Sequence, residues 1–135
     1  MSLSLAIVMI FALMPLSVFA VESTEGLIFE LSYDGKYGIP YHMIITGYEG
    51  DLTEVVIPAE HDGYPVKEIG DEAFLYCEIT NVSIPDSVEH IGEQAFSGTY
   101  ITEIVIPKSV KSLGSCAFDY YSADKIAVED GNPVF

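Results

Sequence analysis

The stretch IPDSVEHIGEQAF at residues 84–96 decides the fold, because the same pattern returns as IPKSVKSLGSCAF at residues 106–118. The two copies are 22 residues apart, and proline, valine, glycine and phenylalanine recur at the same places in both. A repeat of this length is typical of a solenoid, in which each copy forms one coil. One coil cannot bury its apolar side alone, so the coils stack on one another.

Aligned copies divide the chain into coils at residues 52–78, 79–100 and 101–122, followed by a partial coil at residues 123–135. The first copy is five residues longer, with the extra residues between Pro58 and Val66. Residues 27–48 have another pattern, which predicts two strands around a turn at Asp34-Gly35. We therefore expect residues 21–51 to form an N-terminal β cap that covers the open end of the first coil.

The aligned columns are apolar in every copy, which predicts a core of stacked ladders. Pro58, Pro85 and Pro107 end a short β-branched strand in each coil, because proline has no N–H for the ladder. Burying one Ile or Phe side chain is worth about 1.5–3 kcal/mol. The columns are Leu52, Ile79 and Ile101; Val55, Val82, Ile104 and Ile126; Ile57, Ile84, Ile106 and Val128; Val66, Val88 and Val110; Ile69, Ile91 and Leu113; Ala73, Ala95 and Ala117; Phe74, Phe96 and Phe118.

The recurring pairs Ile-Pro, Ile-Gly and Ala-Phe, first seen at Ile57-Pro58, Ile69-Gly70 and Ala73-Phe74, resemble the BspA-like leucine-rich repeats of bacterial surface proteins. The resemblance implies a mainly β fold, a short leucine-rich-repeat solenoid of about three 22-residue coils with an N-terminal β-hairpin cap. It also implies a secreted or cell-surface protein that acts in adhesion, with a host matrix protein or another cell-surface protein as partner. The family defines no ligand-binding residues that could be carried over.

The charge balance restricts the partners. The chain has 21 acidic residues against five lysines and no arginine, for a net charge of −16. Binding to nucleic acid or to an anionic membrane needs clustered cations, so neither is expected. Residues 1–20 are uncharged and end in Val18-Phe19-Ala20, which predicts a secretory signal peptide cleaved after Ala20. No lysine or arginine precedes the apolar run, so an upstream start or an uncleaved anchor stays open; membrane contact is expected only through this segment.

Residue types that carry chemistry are scattered. His42, His61 and His90 lack metal-ligand spacing, and no nucleophile or phosphate-loop motif is present, so we expect no enzyme, cofactor or metal. Cys77 and Cys116 fall in different columns two coils apart and are expected to be free thiols. Asp71 and Glu93 share a column, where a Ca²⁺ site competes with a solvated acidic edge as the interpretation.

The outward positions of the short strands are the candidate binding residues. They form two columns, and the residues of this possible partner-binding face are Glu54, Val56, Asn81, Ser83, Glu103, Val105 and Lys125. Solenoids often bind partners along such faces, but a plain exposed sheet has the same pattern.

The leading hypothesis is a non-catalytic secreted or cell-surface adhesion module that binds protein. A structural spacer and an accessory module, possibly carbohydrate-binding, of a larger secreted protein or hydrolase are the alternatives. The open strand edge of the last coil also predicts self-association.

Overall fold

The computed structural model describes residues 24–119 and 125–132. The predicted signal peptide at residues 1–20 lies outside these ranges, as do parts of the fourth coil. The described residues form ten strands and no helix: β1 (Leu27–Tyr33), β2 (Pro40–Tyr48), β3 (Glu54–Val56), β4 (Glu60–His61), β5 (Tyr64–Ile69), β6 (Asn81–Ser83), β7 (His90–Ile91), β8 (Glu103–Ile106), β9 (Ser112–Leu113) and β10 (Lys125–Val128). Since the described part contains no helix, it has none long and apolar enough to cross a membrane.

The largest sheet joins the cap to the coils, in the order β1-β2-β5-β7-β9. β1 and β2 form the predicted hairpin and are antiparallel. β2 then pairs in parallel with β5 of the first coil, and β5, β7 and β9 continue the parallel stack. The hairpin therefore closes the first coil on this side. The sequence pattern gave no indication of these second strands within each coil.

The extra residues of the first coil form a tight hairpin between β4 and β5. Its turn, Asp62-Gly63, has φ values of 50° and 82°. Two positive φ angles are typical of the two-residue turns that match the twist of a β-hairpin. The His61 ring stacks on Phe29 of the cap, with centroids 3.8 Å apart and planes 9° apart. The insertion is therefore packed against the cap.

A second set of strands forms two separate parallel pairs, β3 with β6 and β8 with β10. These are the strands that the sequence predicted at the start of each coil. Their apolar side faces the core, where Val55, Ile79, Val82, Ile104 and Ile106 are buried.

The predicted ladders are confirmed through the middle of the solenoid. Phe96 is fully buried between Phe74 and Phe118, with ring centroids 5.0 Å and 5.2 Å away and planes within 4° of parallel. In coils one to three the other apolar columns are buried around these rings, apart from the half-buried Ile84 and Leu113 and the exposed Leu52.

Three predicted core positions are wrong. Leu52 is 52% exposed, because the cap pairs with β5 and, among the described residues, no strand pairs with the outer side of β3, the first strand of this coil. Ile126 and Val128 are also exposed, because β10 is the last strand of its pair in the described residues and no coil covers it there.

In each coil a glycine follows the second strand, which is β5, β7 or β9, and permits close packing between coils. A Cβ atom on Gly92 would lie 2.5 Å from the backbone N of Asp71, and one on Gly114 would lie even closer to the backbone of Glu93. Since this clash is with backbone, it cannot be relieved by a rotamer change.

Two residues further on, each coil has a left-handed residue that is not glycine. Glu72, Gln94 and Cys116 have φ values of 57°, 52° and 54°. For residues with a Cβ atom this conformation costs about 1–2 kcal/mol. Backbone bonds to the next coil hold it, with Glu72 N donating to Glu93 O and Gln94 N to Ser115 O.

Candidate partner-binding face

The outer strand face consists of the seven candidate residues of the sequence analysis, which the structure places on four strands. Glu54 and Val56 lie on β3, Asn81 and Ser83 on β6, Glu103 and Val105 on β8, and Lys125 on β10. Six of the seven are exposed, and the Val105 side chain is 55% exposed although it is apolar. Val56 is half-buried rather than exposed, because Thr24 lies against it and exchanges two hydrogen bonds with its backbone.

The strand register brings these residues together in two blocks. On β3 and β6, Glu54 is opposite Asn81 and Val56 is opposite Ser83. On β8 and β10, Glu103 is opposite Lys125, and their side chains form an ion pair of 2.7 Å. The sequence predicted one flat sheet, whereas the structure has two blocks side by side.

The boundary between β6 and β8, here called the seam, lacks in the described residues the backbone hydrogen bonds that join the coils at the junctions before and after it. Asn81 N donates to Thr53 O at the junction before it, and Lys125 N donates to Thr102 O at the junction after it. Within the described ranges, the corresponding N–H of Glu103 makes no bond to Thr80 O, and β6 does not pair with β8.

The other end of the seam is also open. Ile57 N donates to Ser83 O, but the corresponding N–H of Ile84 makes no bond to Val105 O in the described structure. Behind the seam the coils stay joined by the β7–β9 pairing. Just before the seam, the last residue of the second coil bonds the first residue of that coil, with Tyr100 N donating to Ile79 O at 3.0 Å.

A cleft of about 680 Å³ lies along this seam. Its walls contain four of the candidate residues, Asn81, Ser83, Glu103 and Val105. The remaining lining residues were not singled out by the sequence: Thr80, Val82, Ile84, Asp86, Thr102, Ile104, Pro107 and Glu129. Sequence reasoning could not find the cleft, because the columns that flank this seam resemble those at the joined junctions.

The lining of the cleft is acidic and hydroxyl-rich. Among the described residues it contains three carboxylates, Asp86, Glu103 and Glu129, and no lysine or histidine. Lys125 neutralises Glu103 from outside, and Glu129 accepts a hydrogen bond from the backbone N of Lys108 at 3.0 Å. An occupant of the cleft therefore meets a negative field within a protein that is itself strongly negative.

A charged ladder lies on the opposite sheet. Glu89 accepts hydrogen bonds from Lys67 at 2.9 Å and from Lys111 of the next coil. These two ammonium groups lower the pKa of Glu89 to about 2, with Lys111 the larger cause. The bond to Glu89 also raises the pKa of Lys67. Both lysines therefore form ion pairs that join adjacent coils.

The other candidate residues remain apart. Asp71 Oδ1 accepts a hydrogen bond from Glu93 N at 2.7 Å, so this carboxylate caps the backbone of the next coil. Among the described residues no three histidine, cysteine or acidic side chains converge as a metal site would require. Cys77 is half-buried and Cys116 is exposed, and both are free; burial raises the pKa of the Cys77 thiol.

The histidines do not converge either. His42 Nε2 lies 3.7 Å from a Glu68 carboxylate oxygen, His61 stacks on Phe29, and His90 Nδ1 bonds the Ser112 hydroxyl at 2.7 Å. Each of the three thus contacts a different neighbour, and the three do not form a shared site.

Comparison with known proteins agrees with this architecture. Residues 50–133 match the family model described as "BspA type Leucine rich repeat region (6 copies)". A leucine-rich repeat protein from Bacteroides capillosus ATCC 29799, solved by crystallography, is 26% identical with a TM-score of 0.50; the match covers 80% of this chain and 97% of that one.

A leucine-rich repeat protein from T. pallidum is 22% identical with a TM-score of 0.47, covering 74% of this chain and 68% of that one. None of the curated proteins matches the sequence. The family model spans more than half of the chain, so this protein belongs to the BspA-type leucine-rich repeat family.

Proposed function

We propose that the chain is a non-catalytic, protein-binding repeat module of a secreted or cell-surface adhesion protein. Its partner, a host matrix protein or another cell-surface protein, docks on the outer strand face. The observation that carries the proposal is the exposure of Val105 and its polar neighbours on the short strands, beside an open cleft. Exposed apolar side chains with a polar surround are a common feature of protein-binding surfaces.

Family and charge support the rest of the proposal. Proteins of this family are typically bacterial surface or secreted proteins, and their fold is typically non-catalytic. The net charge of −16 disfavours nucleic acid and anionic membranes as partners. The proposal needs no cofactor or metal, because the outer strand face offers contact area and hydrogen-bonding groups.

The test is binding of the chain to a panel of purified extracellular-matrix proteins by biolayer interferometry. Val105→Arg places a bulky charge on the outer strand face, whereas Thr46→Arg makes the same charge change at an exposed position of β2. We expect Val105→Arg to weaken binding by about tenfold, equal to 1.4 kcal/mol, and Thr46→Arg to leave it unchanged.

Equal effects of the two variants would show that the binding surface lies elsewhere on the chain. No binding to any panel member would favour the structural spacer, and chemical turnover of a bound partner would contradict the non-catalytic role.

A second copy is the other proposed partner. Ile126 is 47% exposed on β10, at the free edge of the described β8–β10 pair. Exposed strand edges recruit strands of other chains. We propose that two copies associate through this edge.

A further inference from the structure

We infer that the cleft between β6 and β8 binds an extended, basic peptide segment of the partner, which adds as a strand between the two blocks. The inference rests on the proposed function, because the cleft opens on the outer strand face. It goes further in naming the chemistry of the segment and the way in which it is held.

Both walls of the cleft are strand edges with unpaired backbone groups. At the neighbouring junctions, the N–H groups equivalent to Glu103 and Ile84 donate to the adjacent coil. In the described structure these two donors, and their acceptor counterparts Thr80 O and Val105 O, make no bond across the seam. A peptide strand satisfies such groups with its own backbone, which is the basis of binding by strand addition.

The width of the seam sets a condition on insertion. Cα atoms of β6 and β8 approach within 8 Å. A strand between them needs two inter-strand spacings of about 4.8 Å, or about 9.6 Å in all. The walls must therefore part by at least ~2 Å. The β7–β9 pairing behind the seam keeps the coils joined while the outer side opens.

The charge of the lining selects the side chains of the segment. Asp86 lies at the exposed margin of the cleft and makes no ion pair in the described residues. Glu129 adds a second carboxylate and Glu103, which is paired with Lys125, a third; none of the described lining residues is a lysine, arginine or histidine. Lysine or arginine on the peptide is attracted to this margin, whereas an acidic peptide is repelled.

The test uses three fluorescent peptides of about six residues, the usual length of a strand. The first alternates Thr with Lys, the second alternates Thr with Glu, and the third is the Thr-Lys peptide with alternate backbone nitrogens methylated. Anisotropy titrations with the chain should give affinities for the first peptide at least about tenfold above those for either of the others. The methylated peptide has the same charge, so it separates strand pairing from simple attraction to an acidic protein.

Location in the cleft is tested with a matched pair of variants. Asp86→Asn removes a carboxylate from the cleft, and Glu60→Gln removes one from β4. Asp86→Asn should weaken the Thr-Lys peptide about threefold, in keeping with an exposed ion pair, and Glu60→Gln should have no effect. Equal affinities of the methylated and unmethylated peptides, no binding of the Thr-Lys peptide, or equal effects of the two variants would overturn the inference. If the inference failed but matrix-protein binding still depended on Val105, the outer strand face would remain the proposed docking surface.

Discussion

The Phe96→Ala variant tests the stacking of the coils. Phe96 is fully buried, and a parallel ring lies against each of its faces, Phe74 at 5.0 Å and Phe118 at 5.2 Å. Truncating a buried Phe to Ala costs about 3–5 kcal/mol, and more where the site cannot collapse. Each ring pair adds about 0.5–1.5 kcal/mol. With a ring on both sides these contributions sum to about 4–8 kcal/mol, so we expect Phe96→Ala to lower the free energy of unfolding by at least about 4 kcal/mol.

Phe118→Ala is the matched control, because this half-buried ring has only one stacked neighbour in the described residues. It should cost about 2–3 kcal/mol, less than a fully buried phenylalanine. Urea unfolding followed by circular dichroism and tyrosine fluorescence gives both values, since the chain has no tryptophan. A Phe118→Ala cost equal to or larger than that of Phe96→Ala would refute the ladder.

Four further predictions, with six variants, test other parts of the structure. Glu89→Lys puts a third positive charge between two lysines and should lower the melting temperature more than Glu60→Lys, with a gap that shrinks as salt rises; equal melting at low salt would contradict the ladder. Because the pKa of Glu89 falls from 4.5 to about 2 on folding, its carboxylate stabilises the fold above pH 4.5, and the stability deficit of Glu89→Gln should disappear in urea titrations between pH 4.5 and 2. Gln94→Gly relieves a left-handed φ of 52° and should raise the free energy of unfolding by about 0.5–1 kcal/mol. Gly92→Ala places a Cβ against backbone and should lower the free energy of unfolding by about 1–3 kcal/mol. A lower value for Gln94→Gly together with a higher value for Gly92→Ala in urea unfolding would show that the turn geometry is wrong. Ile126→Lys should reduce the concentration dependence of light scattering if the β10 edge mediates self-association, and an unchanged profile would exclude that edge.

The 22-residue repeat made much of this fold predictable from the sequence. Apolar columns with a 22-residue step define which side chains stack, so the rings of Phe74, Phe96 and Phe118 could be placed without coordinates. Errors occur where a column ends. Leu52 is apolar like its buried equivalents Ile79 and Ile101, and its exposure depends on where the cap docks, which is a tertiary feature.

The candidate face was predictable only in part. Alternation along each strand identifies Asn81, Ser83, Glu103 and Val105 as outward residues. The split between β6 and β8 is a displacement of backbone between two coils whose sequences match the joined coils closely. Repeat alignment compares side chains and carries no information about such a displacement.

Residue-resolved hydrogen exchange of the Asn81 and Glu103 amides tests the central claim, that the outer strand face is split and receives the partner in the split. Asn81 N donates to Thr53 O, so its amide should be protected in the free chain, whereas the Glu103 amide, which makes no bond across the seam in the described ranges, should exchange rapidly. On binding the Thr-Lys peptide, the Glu103 amide should become protected while Asn81 stays unchanged. A Glu103 amide as protected as Asn81 in the free chain, or one unaffected by the bound peptide, would contradict the account.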